Sequence, residues 1–275
     1  MAFRHRVFQR LNRPGTRILL VLAGTVYKSL LYRRPCSVSY REGTWTHRHP
    51  DGVLVEPQIS LATMTDLDQR AVDCFMFRYV PQPGDVVVDV GAGSGLETLP
   101  FSRRVGANGR VIAIEAHPLM FRCLQAVCHL NGLSNVTAVH AAVAAADRDV
   151  MISDTSNYQA NTTVTERGVH VPGRTLDSIV ASLGIDRIDL LKMNIEGAER
   201  AAIEGMQRTI RITRHVAIGC HDFLADWGRG EMMRTKSLMV DFLRQQGFEI
   251  MLREDPRVWL RDTVYGRQPI GREVD

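Results

Sequence analysis

The chain has 275 residues, 45% hydrophobic and 23% charged, with a formal net charge of +4. That balance excludes a disordered chain and fits a globular protein with a substantial core. The charge excess sits at one end, since Arg4, Arg6, Arg10, Arg13, Arg17, Lys28, Arg33 and Arg34 all precede the first Asp or Glu; a basic face for nucleic acid on the folded domain is therefore not expected.

Residues 1–34 read as a basic, partly amphipathic helical extension, broken by Pro14-Gly15 and carrying Ile18, Leu22, Val26 and Leu30 at helical spacing. The apolar run from Ile18 to Tyr27 is interrupted by Gly24-Thr25 and falls short of the ~20 residues that span a bilayer. No small-x-small cleavage site follows it, which argues against export. Two readings stay open. The helix packs its apolar face on the main domain or on a second subunit of a homo-oligomer, or it adsorbs peripherally to an anionic inner membrane surface. Ser37 to His47 alternates, His49-Pro-Asp-Gly52 is a turn signal and Val53-Leu-Val55 is extended, so a β-hairpin is expected. Its Tyr40, Trp45, His47 and His49 serve either cross-strand packing or substrate contact. Asp66 to Tyr79 has helical periodicity with Asp66 as N-cap, and Pro81-x-Pro83-Gly84 ends it. We divide the chain into an extension, residues 1–65, and a main domain, residues 66–275.

From Asp85 onward short β-branched runs alternate with helical ones, the mark of βαβ units and a parallel sheet. Strands are expected at Val86–Val90, Arg110–Glu115, Val136–Ala142, Ile188–Met193 and His215–Cys220. Helices are expected at Glu97–Val105, Pro118–Asn131, Thr175–Leu183, Gly197–Ile212 and Glu231–Gln246. Two further extended pieces, Phe248–Leu252 and Arg257–Leu260, would close the sheet edge antiparallel, and Ser153 to Gly168 is the longest loop. The five cysteines are odd in number and lack C-x-x-C spacing, which points to a reduced cytoplasmic protein.

The segment Val86-Val-Val-Asp-Val-Gly-Ala-Gly-Ser-Gly95 is a strand running into a glycine loop that brings bare backbone against a ligand, ahead of a helix N-terminus. A dinucleotide fingerprint would require glycine at position 96, where this chain has Leu96. The 91, 93, 95 spacing with Asp89 before the turn is the one met in S-adenosylmethionine-dependent methyltransferases. Glu115 ends the next strand, where its carboxylate can accept hydrogen bonds from a ribose diol.

With these pieces the chain resembles the FkbM family of methyltransferases. The matching blocks are Val88-Asp-Val-Gly-Ala-Gly93, Gly109-Arg-Val-Ile-Ala-Ile-Glu-Ala-His-Pro118, Asn131-Gly-Leu-Ser-Asn-Val136 with Ala141-Ala-Val143, Arg174-Thr-Leu-Asp-Ser178 and, most specific, Asp189-Leu-Leu-Lys-Met-Asn-Ile-Glu-Gly-Ala-Glu199. The resemblance implies an α/β class I methyltransferase (Rossmann-like) fold, a mostly parallel seven-stranded sheet with an antiparallel edge, here behind a helical and hairpin N-terminal extension. It implies S-adenosylmethionine as methyl donor and a hydroxyl acceptor on a sugar, glycolipid or polyketide-like small molecule. By position, Asp89, Gly91, Ala92, Gly93, Ser94, Glu115, Ala116 and Ala142 would line the cofactor. Asn194 stands where the family usually has Asp, so a role needing a carboxylate there does not carry over; Glu196 and Glu199 are retained. A nicotinamide-type oxidoreductase and a catalytically silent cofactor-binding scaffold remain the alternatives.

Methyl transfer to a hydroxyl calls for alignment and for a general base. His221, in Val216-Ala-Ile-Gly-Cys-His-Asp-Phe223, would emerge at the carboxyl edge of the fifth strand, with Asp222 or Glu196 to orient it; the alternative is a strand-end histidine bonded to backbone. Asn194, Glu196 and His221 are the candidate catalytic residues, with Glu196 also suited to a helix N-terminus. His129 and His140 read as structural. Glu196, Asp222 and His221 offer hard ligands, but no spacing supports a metal site and none is expected.

Overall fold

In the computed structural model, which describes residues 12–155, 161–163 and 165–269, helix α1 (Arg17–Tyr32) precedes an antiparallel sheet of β1 (Ser37–Arg41), β2 (Thr44–His49) and β3 (Gly52–Glu56). The run from Ser37 to His47 is two strands, not one. Glu42 (φ 50) and Gly43 (φ 85) both take left-handed conformations and reverse the chain in a two-residue turn. The apolar positions expected to pack α1 on the domain point outward: Ile18, Leu22, Val26 and Leu30 are exposed, and Gly24 and Lys28 are the buried ones. Strand β2 alternates with period two, so Trp45, His47 and His49 face inward. Asn131 fastens β3 by accepting the Val53 N–H at 2.9 Å and donating to the Val53 carbonyl at 2.8 Å.

The two buried histidines set an acid limit. His47 accepts the Ser60 N–H at 3.2 Å and His49 stacks on Tyr32. Burial, with the Lys28 ammonium nearby, pushes His47 down to about 3 and His49 down to about 4. Both values lie below the ordinary 6.5, so the unfolded chain takes up protons first; the stability is complete above pH 6.5 and is lost as pH falls from there toward 4. Each ring contributes roughly 1.4 kcal/mol per pH unit across that window. Thermal melts at pH 7 and pH 4.5 are expected to show the drop, and His49→Gln is expected to flatten it.

Helix α2 (Met64–Cys74) starts one turn earlier than the pattern indicated. Thr63, not Asp66, is its N-cap: the Thr63 hydroxyl accepts the Asp66 N–H and the Asp66 carboxylate accepts the Thr63 N–H, a reciprocal capping box.

The expected sheet forms with seven strands in the order β13-β14-β12-β11-β4-β5-β6. They are β4 (Val86–Val90), β5 (Arg110–Glu115), β6 (Val136–His140), β11 (Ile188–Met193), β12 (Thr213–Gly219), β13 (Glu249–Met251) and β14 (Thr263–Arg267). All neighbours pair in parallel except β14, which is antiparallel to both β12 and β13. Helices α3 (Thr98–Val105) and α4 (Pro118–Leu130) join β4 to β5 and β5 to β6. Two small sheets, β7 (Ala142–Val143) with β10 (Gly173–Arg174) and β8 (Val150–Ile152) with β9 (Val169–Val171), follow, and α5 (Leu176–Ser182) leads back to β11. The helix expected over residues 197–212 is shorter, α6 (Glu199–Glu204), with a separate 3-10 turn at Thr209–Ile212. After α7 (Asp222–Asp226), the helix expected from Glu231 begins only at α8 (Lys236–Gln245).

Arg257–Leu260 is not the edge strand. It belongs to a single helical turn, α9 (Val258–Arg261), closed by the Thr263 hydroxyl donating to the Trp259 carbonyl at 2.9 Å. The antiparallel strand is β14, whose Tyr265 is buried among Ala71, Phe75 and Phe101. The central strands are buried on both faces: Val88, Val90, Leu191 and Met193 pack on one side, Val87 and Leu190 on the other. Among the described residues no helix is long and apolar enough to cross a membrane.

Candidate functional site

Parallel strands end together, and the carboxyl tips of β4, β5, β11 and β12 open onto one cavity of about 660 Å³. That volume suits a small-molecule ligand. The loop after β4 forms its floor. Gly91 turns with φ 73, and a Cβ there would lie 2.1 Å from the Asn194 carbonyl oxygen, so no other residue fits between the two strand tips. Gly91, Ala92, Gly93 and Ser94 all line the cavity. The Ser94 hydroxyl is buried with no partner among the described residues.

Asp89, expected by position to line the cofactor, is not among the residues that line the cavity. It points under the loop, fully buried, 2.8 Å from the Lys192 ammonium and 2.6 Å from the Thr98 hydroxyl that donates to it. The register explains the pair, because Lys192 and Asp89 are direct neighbours on β11 and β4. Lys192 also donates to the Gly91 carbonyl at 2.8 Å, so the ion pair fastens the loop from below.

Glu115 does line the cavity, beside Ala116 and Ala142. Its two oxygens accept the N–H groups of Gly93 (2.8 Å) and His117 (2.7 Å). Burial pushes its pKa up, and those backbone bonds hold it back. Each oxygen accepts one of these bonds and so retains further acceptor capacity, which a vicinal diol requires. The backbone cradle, the unpartnered Ser94 hydroxyl and the Glu115 carboxylate together fit a nucleoside-bearing cofactor. Glu115→Gln turns one oxygen into a donor facing an N–H group, and is expected to weaken S-adenosylmethionine binding about 10- to 100-fold by calorimetry.

Across the cavity, Asn194, Glu196 and His221 come together at the tips of β11 and β12. The His221 ring is buried, its Nε2 3.0 Å from a Glu196 oxygen and its Nδ1 3.7 Å from Glu199. Glu199 is itself fully buried and accepts the Thr235 hydroxyl at 3.1 Å. Burial opposes a charged ring, but the contacts with Glu196 and then Glu199 outweigh it and push His221 up to about 10. The imidazole is therefore protonated near neutral pH, and the free carboxylate edge beside it belongs to Glu196, which sits at φ 52 in the left-handed region. Asp222 plays no part in orienting the ring. Its carboxylate accepts the N–H groups of Thr235 (2.9 Å) and Lys236 (3.0 Å) at the start of α8.

His117, inside the block that ends at Pro118 but not named there for the site, caps α4 and lines the cavity, and several far-wall residues carry no motif that would single them out: Glu56, Arg70, Asp73, Arg257 and Trp259. Glu56 is the one with a readable signal, a carboxylate at a strand end like Glu115. Burial pushes Glu56 up to about 7, and its Oε2 is buried without a partner among the described residues. None of Tyr40, Trp45, His47 and His49 lines the cavity. His140 stacks on Phe121 and reaches the Ala116 carbonyl at 3.1 Å, a structural position.

The family model described as the methyltransferase FkbM domain matches residues 89–250. An 85-residue stretch is 33% identical to the AMB antimetabolite synthetase AmbE of Pseudomonas aeruginosa; it covers 30% of this chain and 4% of that protein. Among solved structures, methyltransferase FkbM from Methylobacillus flagellatus superposes with a TM-score of 0.50 at 20% identity, over 70% of this chain and 45% of that one. Fibrillarin from Aeropyrum pernix, solved with S-adenosylmethionine, gives a TM-score of 0.45 at 14% identity, over 84% of this chain and 96% of that one. The chain thus spans under half of the FkbM structure and a small fraction of the synthetase. The fold is the class I, Rossmann-like fold of S-adenosylmethionine-dependent methyltransferases, with its seven-stranded mixed sheet.

Proposed function

Since the chain belongs to the FkbM family of S-adenosylmethionine-dependent methyltransferases, we propose that it methylates a hydroxyl of a small molecule, glycan or glycolipid, with Glu196 receiving the hydroxyl proton. The observation that carries this reading is the single cavity shared by the glycine loop with Glu115 on one side and the Asn194, Glu196 and His221 group on the other.

Gly91, Ala92, Gly93, Ser94, Glu115, Ala116 and Ala142 are the residues suited to hold the donor. When bound, S-adenosylmethionine supplies a sulfonium methyl whose thioether leaves without protonation, so the acceptor's proton is the one the protein has to place. Glu196 is suited to receive it, because its carboxylate lines the cavity and is held at 3.0 Å by a charged imidazole. His221 accordingly orients the carboxylate and balances its charge instead of serving as the free base first expected. Asn194, whose backbone carbonyl faces Gly91 and whose amide oxygen faces Gly219, lines the cavity and is suited to a hydrogen bond with the donor's polar tail or the acceptor. The far wall, with Glu56, Arg70 and Trp259, is where acceptor selection would fall. The family match weighs against an oxidoreductase, and the intact carboxylate and imidazole cluster weighs against a silent scaffold.

The test is incubation with methyl-labelled S-adenosylmethionine and fractionated cell extract. Label is expected in a hydroxyl-bearing fraction as an alkali-stable ether. A protein that binds no S-adenosylmethionine by calorimetry, or label recovered on nitrogen or carbon, would overturn the respective half of the proposal.

A further inference from the structure

A helix lying on a folded domain ordinarily turns its apolar side inward and its polar side to water. Helix α1 largely does the reverse. Beside half-buried Leu20 and Val21, its inward side carries polar, bonded side chains: the Thr25 hydroxyl accepts the Val38 N–H at 2.9 Å and the Ser29 hydroxyl accepts the Cys36 N–H at 3.0 Å. The buried Lys28 ammonium donates to the Ala62 carbonyl, and the Tyr32 hydroxyl accepts the Met64 N–H at 2.7 Å. The Arg17 guanidinium lies 3.7 Å over the Tyr40 ring. These bonds set the rotation of the helix, so its outward face is not an accident of loose attachment.

That outward face is apolar throughout. Ile18, Leu19, Leu22, Val26, Leu30 and Leu31 are between 49% and 73% exposed, and the other exposed residues between them are Ala23 and Tyr27. Such a continuous stripe calls for a partner surface. At 16 residues the helix is about 24 Å long, too short to cross the ~30 Å hydrocarbon layer but long enough to lie within an interface. Charge selects the partner. Exposed Arg13 precedes the stripe, exposed Arg33 and Arg34 follow it, and no carboxylate occurs before Glu42. A second copy seated on the same face would bring arginine-bearing ends together with no acid on helix or flanks to pair them. Anionic lipid provides both an apolar layer and the counter-charge.

We propose that α1 seats the protein on an anionic lipid bilayer, with its apolar outer face in the boundary between headgroups and acyl chains and its flanking arginines on lipid phosphates. This placement is independent of the methyl-transfer reading. The test sediments the full chain with vesicles of phosphatidylcholine alone or of an equal mixture with phosphatidylglycerol. Binding is expected to be more than about tenfold stronger on the mixed vesicles and to fall as salt rises. Leu22→Glu with Leu30→Glu, both on the exposed face, is expected to abolish binding while the melting temperature is retained. Arg33→Ala and Arg34→Ala are each expected to weaken it about fivefold. Wild-type protein that binds neither vesicle, vesicle binding unchanged by the double glutamate variant, or a dimer that this variant dissociates without any lipid binding would each overturn the proposal. Calorimetry with S-adenosylmethionine on the same samples keeps the two readings apart, since absent donor binding sinks only the methyl-transfer one.

Discussion

Lys192→Met is expected to lower the free energy of unfolding by about 3–5 kcal/mol. The reason is what it leaves behind. Asp89 and Lys192 are 0% and 1% exposed, and the carboxylate has one other hydrogen-bond donor, the Thr98 hydroxyl. Burial disfavours the ammonium, yet Asp89, helped by Glu97 and Glu115, outweighs it and holds the Lys192 pKa above its ordinary value, so the ammonium stays charged. Removing one charge strands the other away from water, and the stranded charge costs more than the pair itself was worth. The double variant Asp89→Asn with Lys192→Met is therefore expected to recover much of the loss, which denaturant melts of the three variants would measure as a coupling energy. S-adenosylmethionine affinity should fall in the single variant as well, because the Gly91 carbonyl loses its donor. A single variant within about 1 kcal/mol of wild type would show that water reaches Asp89 and that the pair does not fasten the loop.

Glu196→Gln is expected to cut kcat by about 10²- to 10⁴-fold once the acceptor is known, with donor affinity retained. A second readout needs no acceptor. His221 in the folded protein is raised to about 10 from an ordinary 6.5, so its contribution to stability is complete below pH 6.5 and is lost as pH rises from there through 10. Removing the Glu196 charge takes away the leading favourable contact of the ring, and the alkaline loss of stability should shrink. Melts at pH 6.5 and pH 9.5 compare the two directly. If Glu196→Gln stays active while His221→Gln does not, the proton goes to the ring and the roles are reversed.

The donor side of the site was legible because it depends on short-range pattern. A β-branched strand entering a 91, 93, 95 glycine loop, and an acid ending the next strand, are local features that a parallel sheet brings side by side. Even there, one residue misled. Asp89 stands at the loop's edge in sequence, but its side chain falls on the face of β4 that meets Lys192, and no spacing argument reveals the opposite charge one strand away. The charge state of His221 was hidden for the same reason, since it is set by Glu196 and Glu199, more than one turn away in sequence. Far-wall residues such as Glu56, Arg70 and Trp259 come from β3, α2 and α9, elements that the fold alone juxtaposes. Errors of element followed from local ambiguity: Arg257–Leu260 reads as extended until the Thr263 hydroxyl closes it as a turn, and Ser37–His47 alternates across a reversal at Glu42-Gly43. The helical spacing of α1 was correct, and of its open readings the one that turns the apolar face onto the main domain falls away, because that side is held largely by polar side chains.

The antiparallel β14 lies between β12 and β13, although it follows both in the chain. During synthesis, then, β12 leaves the ribosome with one edge unpaired, and β13 has no strand to join until residues 263–267 arrive. For the time needed to make the intervening segment, a row of bare amide and carbonyl groups on an apolar strand is open to any other extended chain. Strand β14 is thus also the seal against misassociation. Substitutions in Thr263–Arg267 should reveal themselves first as lower yield of soluble protein at high expression, before any change in the folded product.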